Sequence, residues 1–381
     1  MASASPLRLL WSQLRLPASP ASEALQRSSN SVAVVGKQLY VFGGERLPRQ
    51  PVDDELWVVD LEDGSISAAP TQDKRPSPRV GAAIAYDSRP GNEALYVWGG
   101  RESQDMTPCD LTLWKYAPKE RKWESVATAE AANADTAVEG RSYHAMCLAA
   151  GELYLHAGCP AKGRLASLHS LALDKSSTWT DLPSSPAPAR GGTVLTPITL
   201  PSNGELLLVR YGGFAGYELG GTLDYFSPSS GTWSSIKMPG EEFSQGHPGA
   251  RSVHALVPVN PPIALPEGHV VAIMLFGERG PAPAHLGHLG AGTFHRDAWA
   301  LLAAPSAGGS SGANPHGFKW VEIQQEAKDN SHGDGKMPAA RGWFGADWSS
   351  ELGKVVVQGG LDDSNERLGD VWIGEVKIGR A

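Results

Sequence analysis

The chain has 381 residues, a formal net charge of -8, and 41% hydrophobic residues, with 44 Gly and 29 Pro. The negative charge disfavours a general nucleic-acid-binding protein, because phosphate neutralisation needs clustered Lys and Arg. No stretch approaches the roughly 20 apolar residues of a membrane span, and the three cysteines cannot all pair into a disulfide framework. We therefore expect a cytoplasmic protein without membrane or nucleic-acid partners.

A short apolar strand that ends in paired small residues recurs along the chain. It reads LYVFGG at 39–44 and LYVWGG at 95–100. Looser copies lie at 153–158, 209–213, 274–278 and 356–360. In the fifth copy we take Gly277 as the first small residue. A period of about 50 residues with a strand ending in Gly-Gly is typical of kelch propeller blades, so the pattern predicts an all-β propeller.

Each repeat is predicted to form one blade of four strands. An arginine opens the first strand, the second ends in the paired small residues, and the fourth carries a Trp that packs between neighbouring blades. The opening arginines are Arg27, Arg79, Arg141, Arg190, Arg251 and Arg341. The Trp residues of blades two to five are Trp123, Trp179, Trp233 and Trp320. Blade one has Ile66 at this position.

The last repeat lacks a fourth strand. It ends with Val371-Trp372-Ile373, whereas Trp11-Ser12-Gln13-Leu14 precedes blade one and has no other role. Pairing this N-terminal strand with blade six would close the propeller and remove open sheet edges. We therefore predict one six-bladed domain over residues 1–381, with ordered blades from about residue 7 to residue 379.

Two segments interrupt the repeats. Residues 303–317 (AAPSAGGSSGANPHG) are of low complexity and predict a flexible loop insertion in blade five. Residues 325–338 are predicted to be a polar connector into blade six. Such insertions are usually solvated loops of a propeller.

The six opening arginines allow two interpretations. Because they begin the innermost strands, they should gather around one end of the central channel, where guanidinium groups could bind carboxylate, sulfate or phosphate. Alternatively, they tie neighbouring loops together and have a structural role. Both roles could coexist in different blades.

The blade-five loop offers a candidate metal site. Glu278, His285 and His288 supply one carboxylate and two imidazoles, the donor set of a two-His, one-carboxylate Fe(II) centre. The competing interpretation is a solvent-exposed loop rich in His, Gly and Pro. No phosphate-binding Gly-Lys-Ser/Thr loop, dinucleotide fingerprint or Gly-x-Ser-x-Gly motif occurs elsewhere.

A set of short motifs follows a fixed order over nearly the whole chain. The set comprises Trp11, FGGE at 42–45, GGR at 99–101, RGG at 190–192, RSV at 251–253, GHLGAG at 287–292, RGW at 341–343 and NER at 365–367. With these motifs the chain resembles the plant specifier proteins, the nitrile-specifier, epithiospecifier and thiocyanate-forming proteins. That resemblance implies activity on unstable aglycones released from glucosinolates, with the help of Fe(II).

The resemblance also implies site residues. Arg101, Tyr143, Arg164 and Trp343 match the substrate-binding positions of the family. In the iron motif Glu-x-x-x-Asp-x-x-x-His, His288 matches the histidine and Glu278 matches the glutamate if two extra residues intervene. Ala284 occupies the position of the aspartate, and His285 lies beside it.

Two functions are therefore expected. The first is binding of a small anionic or sulfur-containing metabolite by Arg101, Arg164, Tyr143 and Trp343, with Fe(II)-assisted lyase or rearrangement chemistry at Glu278, His285 and His288. The second is a non-catalytic propeller that presents the same loops to a protein partner.

Overall fold

The computed structural model describes residues 7–70, 74–105, 107–126, 138–174, 178–238, 246–304, 314–328 and 336–379. In these ranges the main strands form six sheets, one for each predicted repeat. The innermost strands of successive sheets contact one another in a closed cycle. The fold is the predicted six-bladed all-β propeller.

Each blade is an antiparallel sheet whose strands follow one another from the channel outward. Blade one comprises Ser31–Val35, Gln38–Phe42, Leu56–Asp60 and Ile66–Ala68. Blade two comprises Ala83–Asp87, Ala94–Trp98, Leu113–Ala117 and Lys122–Val126. Blade three comprises Ala145–Ala149, Glu152–His156, Leu168–Ala172 and Thr180–Leu182. Blade four comprises Thr196–Thr199, Leu206–Arg210, Thr222–Ser227 and Thr232–Lys237. Blade five comprises Ala255–Leu265, Gly268–Leu275, Ala298–Ala303 and Lys319–Glu322.

Blade six combines both ends of the chain. Gly345–Ser349, Lys354–Gln358 and Val371–Ile378 form its inner strands, and the N-terminal strand Leu7–Gln13 pairs antiparallel with Val371–Ile378. The predicted closure is confirmed. Gln324–Ala327 adds a fifth strand, parallel to Leu7–Gln13. The prediction that residues 325–338 are only a connector was therefore wrong at its beginning, because these backbone groups pair with the outer edge of blade six.

Short elements occupy the connections between strands. The described helices are Pro20–Ala24 and the 3-10 turn Gly287–Leu289, and neither is long enough to span a membrane. Three two-stranded ladders pair Glu45–Leu47 with Gln50–Pro51, Glu278–Gly280 with Thr293–Phe294, and Arg341–Gly342 with Leu361–Asp362. The predicted loop insertion at 303–317 falls largely outside the described residues, since 305–313 are not described.

The predicted Trp residues fill the spaces between blades. Each fourth-strand Trp packs against the aromatic residue at or near the second-strand end of the preceding blade, with ring centroids 5.4 to 6.3 Å apart. The pairs are Phe42/Trp123, Trp98/Trp179, His156/Trp233, Tyr211/Trp320 and Phe276/Trp11. Trp11 therefore gives blade six the Trp that its own repeat lacks.

The paired small residues make a left-handed bend at the end of each second strand. In blade one Gly43 and Gly44 have φ of 68° and 99°, and a Cβ on Gly44 would lie 2.7 Å from the Ser28 carbonyl oxygen. In blade five the corresponding pair is Phe276-Gly277, with φ of 51° and 103°. Taking Gly277 as the first small residue was therefore wrong by one position, because Phe276 itself adopts the left-handed conformation.

Candidate functional site

One residue of each blade takes part in a cyclic set of backbone hydrogen bonds. These residues lie two positions after the opening arginines and have φ between 44° and 64°. They are Ser29, Gly81, Tyr143, Gly192, Val253 and Trp343. The amide of each donates to the carbonyl oxygen of its counterpart in the preceding blade at 2.7 to 3.1 Å. Together they form a cyclic set of hydrogen bonds, which we call the backbone ring.

The opening arginines are structural. All are buried, and the Nη1 of each donates to the carbonyl of the first small residue in its own blade at 2.8 to 3.2 Å. Asp53, Asp297 and Asp370 also bind the guanidinium groups of blades one, five and six. The hypothesis that these arginines form an anion receptor was therefore wrong, because their buried guanidinium groups already donate hydrogen bonds to the protein's own backbone.

A cavity of about 120 Å³ lies at the backbone ring. Tyr143 and Trp343 line it together with His144 and His254, which lie three positions after opening arginines. Burial lowers the pKa of His144 to about 3 and that of His254 well below its ordinary value. The backbone of Arg141 lies close to the His144 ring, but no described residue meets hydrogen-bond geometry with a ring nitrogen of either histidine. The cavity is therefore lined by two neutral imidazoles, which the sequence analysis missed.

Two further sets of residues lie on the face that carries the loops between second and third strands. The inner positions directly follow the paired small residues and are Glu45, Arg101, Cys159, Phe214, Glu278 and Leu361. The return positions are Pro51, Pro108, Arg164, Glu218, Phe294 and Arg367. The amide that follows each return position donates to the carbonyl of the second paired residue at 2.8 to 3.0 Å. We call the surface formed by these positions the bowl.

The predicted substrate-binding residues come together in the bowl. The guanidinium carbon of Arg101 lies 4.9 Å from the centre of the Tyr143 ring, and its Nη2 donates to the Ser142 hydroxyl. The guanidinium carbon of Arg164 lies 4.7 Å from the Phe214 ring centre. Burial raises the pKa of the Cys159 thiol, and the charges of Arg164 and Arg101 oppose this shift. Arg101 is tied to Cys159 through Ser142, whose backbone forms two hydrogen bonds with that of Cys159.

Trp343 forms the opposite wall. Its ring meets Phe294 edge to face, with centroids 5.9 Å apart, and it shares the cavity lining with Tyr143. The hydroxyl of Tyr143 donates to Ser29 at 3.4 Å. The structure thus assembles two guanidinium groups and two aromatic walls from blades two, three and six.

The predicted metal ligands have unlike surroundings. Glu278 is 8% exposed and lies in the bowl, whereas His285 is exposed on the loop. Only the backbone of His288 is described, in the turn Gly287–Leu289. In the part of the chain that is described, no three His, Cys, Asp or Glu side chains are close enough to hold a metal ion. The described residues do not by themselves fit an Fe(II) centre, and the three-residue set stays a prediction.

Glu218 was also missed by the sequence analysis. Glu218 pairs with Phe214 through a β-bridge, and its carboxyl lies near Ser252. Burial raises the pKa of Glu218 to about 7, and burial together with the charge of Glu218 raises the pKa of Glu278 to about 8. Each carboxyl can therefore hold its proton near neutral pH.

The closed propeller, its opening arginines and its left-handed paired residues together define a kelch-repeat protein. The model of the KLHDC2/KLHL20/DRC7 Kelch-repeats domain matches residues 29–265, and the chain belongs to this family.

Three comparisons place the chain among its relatives. It is 24% identical over 370 residues to the N-(sulfonatooxy)prop-2-enimidothioate sulfolyase of Thlaspi arvense, covering 91% of each chain. This similarity supports the resemblance to specifier proteins. It is 30% identical over 205 residues to Adagio-like protein 3 of Oryza sativa subsp. japonica, covering 50% of this chain and 28% of that protein. The solved structure of YjhT shares the fold, with a TM-score of 0.62 and 14% sequence identity. The match covers 95% of this chain and 99% of the YjhT chain.

Proposed function

We propose that the bowl binds a small anionic or sulfur-containing metabolite. The observation that carries this proposal is that the guanidinium groups of Arg101 and Arg164, from blades two and three, each pack over an aromatic ring, with the guanidinium carbons 4.9 Å from the Tyr143 ring centre and 4.7 Å from the Phe214 ring centre. The Nε of Arg164 is buried and has no described hydrogen-bond partner, so an acceptor on a ligand would satisfy it. Guanidinium groups suit the planar or tetrahedral oxygens of carboxylate and sulfate.

The relative from Thlaspi arvense supports the same ligand class. It is named as a sulfolyase of an N-(sulfonatooxy) imidothioate, which is an anionic sulfur compound. For this chain we propose lyase or rearrangement chemistry on a related compound. Arg101 and Arg164 would bind the anionic group, while Tyr143 and Trp343 would hold the organic part against the cavity. An Fe(II) ion at Glu278, His285 and His288 stays a prediction of the resemblance.

A specific observation also favours a protein-binding propeller. Leu47, Leu111, Tyr217 and Leu289 are 48% to 70% exposed, and all lie in loops between second and third strands around the bowl. Exposed apolar side chains gathered on one face are typical of interaction surfaces. A protein partner would bind this rim and cover the bowl.

Calorimetric titration with phenyl sulfate tests the metabolite proposal. Arg101→Ala and Arg164→Ala should each weaken binding at least about tenfold, because a charge-assisted contact contributes about 1.5–3 kcal/mol. Arg8→Ala is the matched control, since Arg8 lies on the outer strand of blade six and its side chain is 49% exposed. Failure of phenyl sulfate to bind, or equal binding by all variants, would overturn the proposal. Anaerobic Fe(II) binding by wild type and His288→Ala tests the metal prediction separately.

A further inference from the structure

The hydroxyl group of Tyr143 reaches across one blade to contact another. Tyr143 belongs to blade three, but its ring lies over Gly81 of blade two, where an added Cβ would lie 2.9 Å from Tyr143 Cε1. Because Gly81 has no side chain, the ring fits there, and its hydroxyl lies 3.4 Å from the Ser29 hydroxyl of blade one. Tyr143 and Ser29 both line the cavity at the backbone ring. Their contact therefore lies in the wall of the cavity.

Glu45 extends this contact into a chain of hydrogen bonds. Ser29 Oγ donates to Glu45 Oε1 at 3.2 Å, and the Arg49 amide donates to Glu45 Oε2. A β-bridge to Ser28, with backbone hydrogen bonds of 2.9 and 3.0 Å, fixes the position of Glu45. Burial raises the pKa of Glu45, and the hydrogen bonds from Arg49 and Ser29 oppose that shift. Each carboxyl oxygen therefore has a donor, which is the arrangement that suits an ionised carboxylate.

The chemistry of these groups fixes the direction of the chain. An ionised carboxylate can only accept hydrogen bonds, so the single hydroxyl proton of Ser29 points to Glu45. Towards Tyr143, Ser29 can then only accept, and the phenol proton of Tyr143 points to Ser29. No described residue donates a hydrogen bond to the Tyr143 oxygen. This oxygen therefore keeps its lone pairs for a donor in the cavity.

We propose that the Tyr143 oxygen accepts a hydrogen bond from the bowl's ligand, and that Ser29 and Glu45 are positioning residues that impose this preference. The ligand then carries an O–H, N–H or S–H donor on the part that enters the cavity. A group that can only accept would meet the lone pairs of the Tyr143 oxygen and would be buried without a donor, which costs free energy. Glu45 therefore decides the specificity of a site that it does not itself contact.

The position of Tyr143 defines a substrate class. Its ring also carries the Arg101 guanidinium group, whose carbon lies 4.9 Å from the ring centre. The group that binds the anion and the oxygen that binds the donor therefore belong to one contacting pair of side chains. The ligand is a compact anion that carries a hydrogen-bond donor a few atoms from its charge, such as a hydroxy- or mercaptosulfonate; this part of the inference rests on the proposed anion site.

Two sulfonates that differ in one hydrogen-bond donor test the preference. Isethionate carries a hydroxyl group, whereas 2-methoxyethanesulfonate has an ether oxygen that can only accept. In calorimetric titrations of the full-length protein at pH 8, isethionate should bind about three- to tenfold more tightly, the effect of one neutral hydrogen bond. Tyr143→Phe should abolish this difference by weakening the binding of isethionate.

Glu45→Gln should abolish the difference by the opposite route. The Arg49 amide needs an acceptor, so the new side chain should turn its carbonyl oxygen to Arg49 and its NH₂ group to Ser29. Ser29 would then donate to Tyr143, and the phenol proton would turn into the cavity. Binding of 2-methoxyethanesulfonate should therefore tighten about three- to tenfold, with little change for isethionate, whose hydroxyl group can also accept. Glu120→Gln, on an exposed turn, is the matched control.

Equal affinities of the wild type for the two sulfonates, or a Glu45→Gln variant that weakens both alike, would overturn the inference while leaving the anion site in place. If neither sulfonate binds, the proposed anion site is the claim that fails. Neutron diffraction from deuterium-exchanged crystals then locates the hydroxyl deuterium of Tyr143 without a ligand. It should point to Ser29 in the wild type and into the cavity in Glu45→Gln; deuterium that points into the wild-type cavity would overturn the inference.

Discussion

At the scale of single residues, the carboxyl pair of blades four and five should make the protein's stability depend on pH. The pKa values of about 7 for Glu218 and about 8 for Glu278 lie above the unfolded value of about 4.3. The folded state therefore binds more protons than the unfolded state between about pH 4 and pH 8. The free energy of unfolding should fall as pH rises through this window and then level off.

Glu278→Gln tests this pH dependence because it removes the buried charge. At pH 8 the substitution should raise the free energy of unfolding by on the order of 2 kcal/mol, and at pH 4 the difference should disappear. Urea denaturation at the two pH values measures the effect, with Glu120→Gln as the control. A loss of stability at pH 8 would show that the carboxylate has a stabilising partner.

The residues of the bowl were only partly predictable from sequence. Arg101 and Tyr143 follow landmarks of the repeat, so the resemblance located them. Glu218 could not be found in this way, because the return position lies five residues after Gly213 but seventeen after Gly277. Loops of such different length cannot be aligned without the backbone hydrogen bond that marks their ends. His144 and His254 could have been predicted from the sequence, since both lie three residues after an opening arginine and therefore at equivalent positions of their blades.

At the scale of elements, the left-handed bend after each second strand fixes where the bowl residues start. Its first position accepts Ala157 and Phe276 with φ of 59° and 51°, but its second position is glycine in every blade, with φ from 94° to 106°. The sequence pattern located the bends, yet it misplaced the one in blade five. Phe276 looked like part of the strand because its hydrophobic side chain fits the apolar run.

Gly44→Ala should therefore be strongly destabilising. The new Cβ would lie 2.7 Å from the Ser28 carbonyl oxygen, and φ would stay near 99°. We expect a loss of at least about 2 kcal/mol. Gly91→Ala is the control, because its φ is 85° but no atom lies within 4 Å of the added Cβ; it should cost about 1 kcal/mol. Thermal melts that rank the two variants equally would contradict the packing argument.

At the scale of the whole molecule, closure of the propeller depends on the N-terminal strand. Leu7–Gln13 is paired on both sides, with Val371–Ile378 and with Gln324–Ala327. The repeat pattern predicted the first pairing because the last repeat lacked a fourth strand and the Trp that this strand carries. The second pairing has no signal in the sequence, since Gln324–Ala327 is short, polar and half-buried, although Trp11 Nε1 donates to Gln325 Oε1 at 2.9 Å across it.

Trp11→Ala should lower the free energy of unfolding of the whole propeller and not only loosen the N-terminal strand. Trp11 is 1% exposed and packs against Phe276 of blade five, so its loss should cost about 3–5 kcal/mol. Removing residues 1–13 should abolish a single cooperative unfolding transition. Arg8→Ala, on the same strand but exposed, should change stability by less than about 0.5 kcal/mol. An unchanged melting curve after the deletion would show that closure does not depend on this strand.

The backbone ring has an electrostatic consequence for any molecule on the propeller axis. Each of its amide–carbonyl dipoles runs tangentially, from one blade to the next, and tangential dipoles spread around a closed circle cancel at the centre. A helix terminus, in contrast, adds its peptide dipoles along one direction and favours anions at its start. The backbone ring therefore favours neither sign of charge on the axis, so side-chain substitutions around it could change charge selectivity while these six hydrogen bonds stay in place.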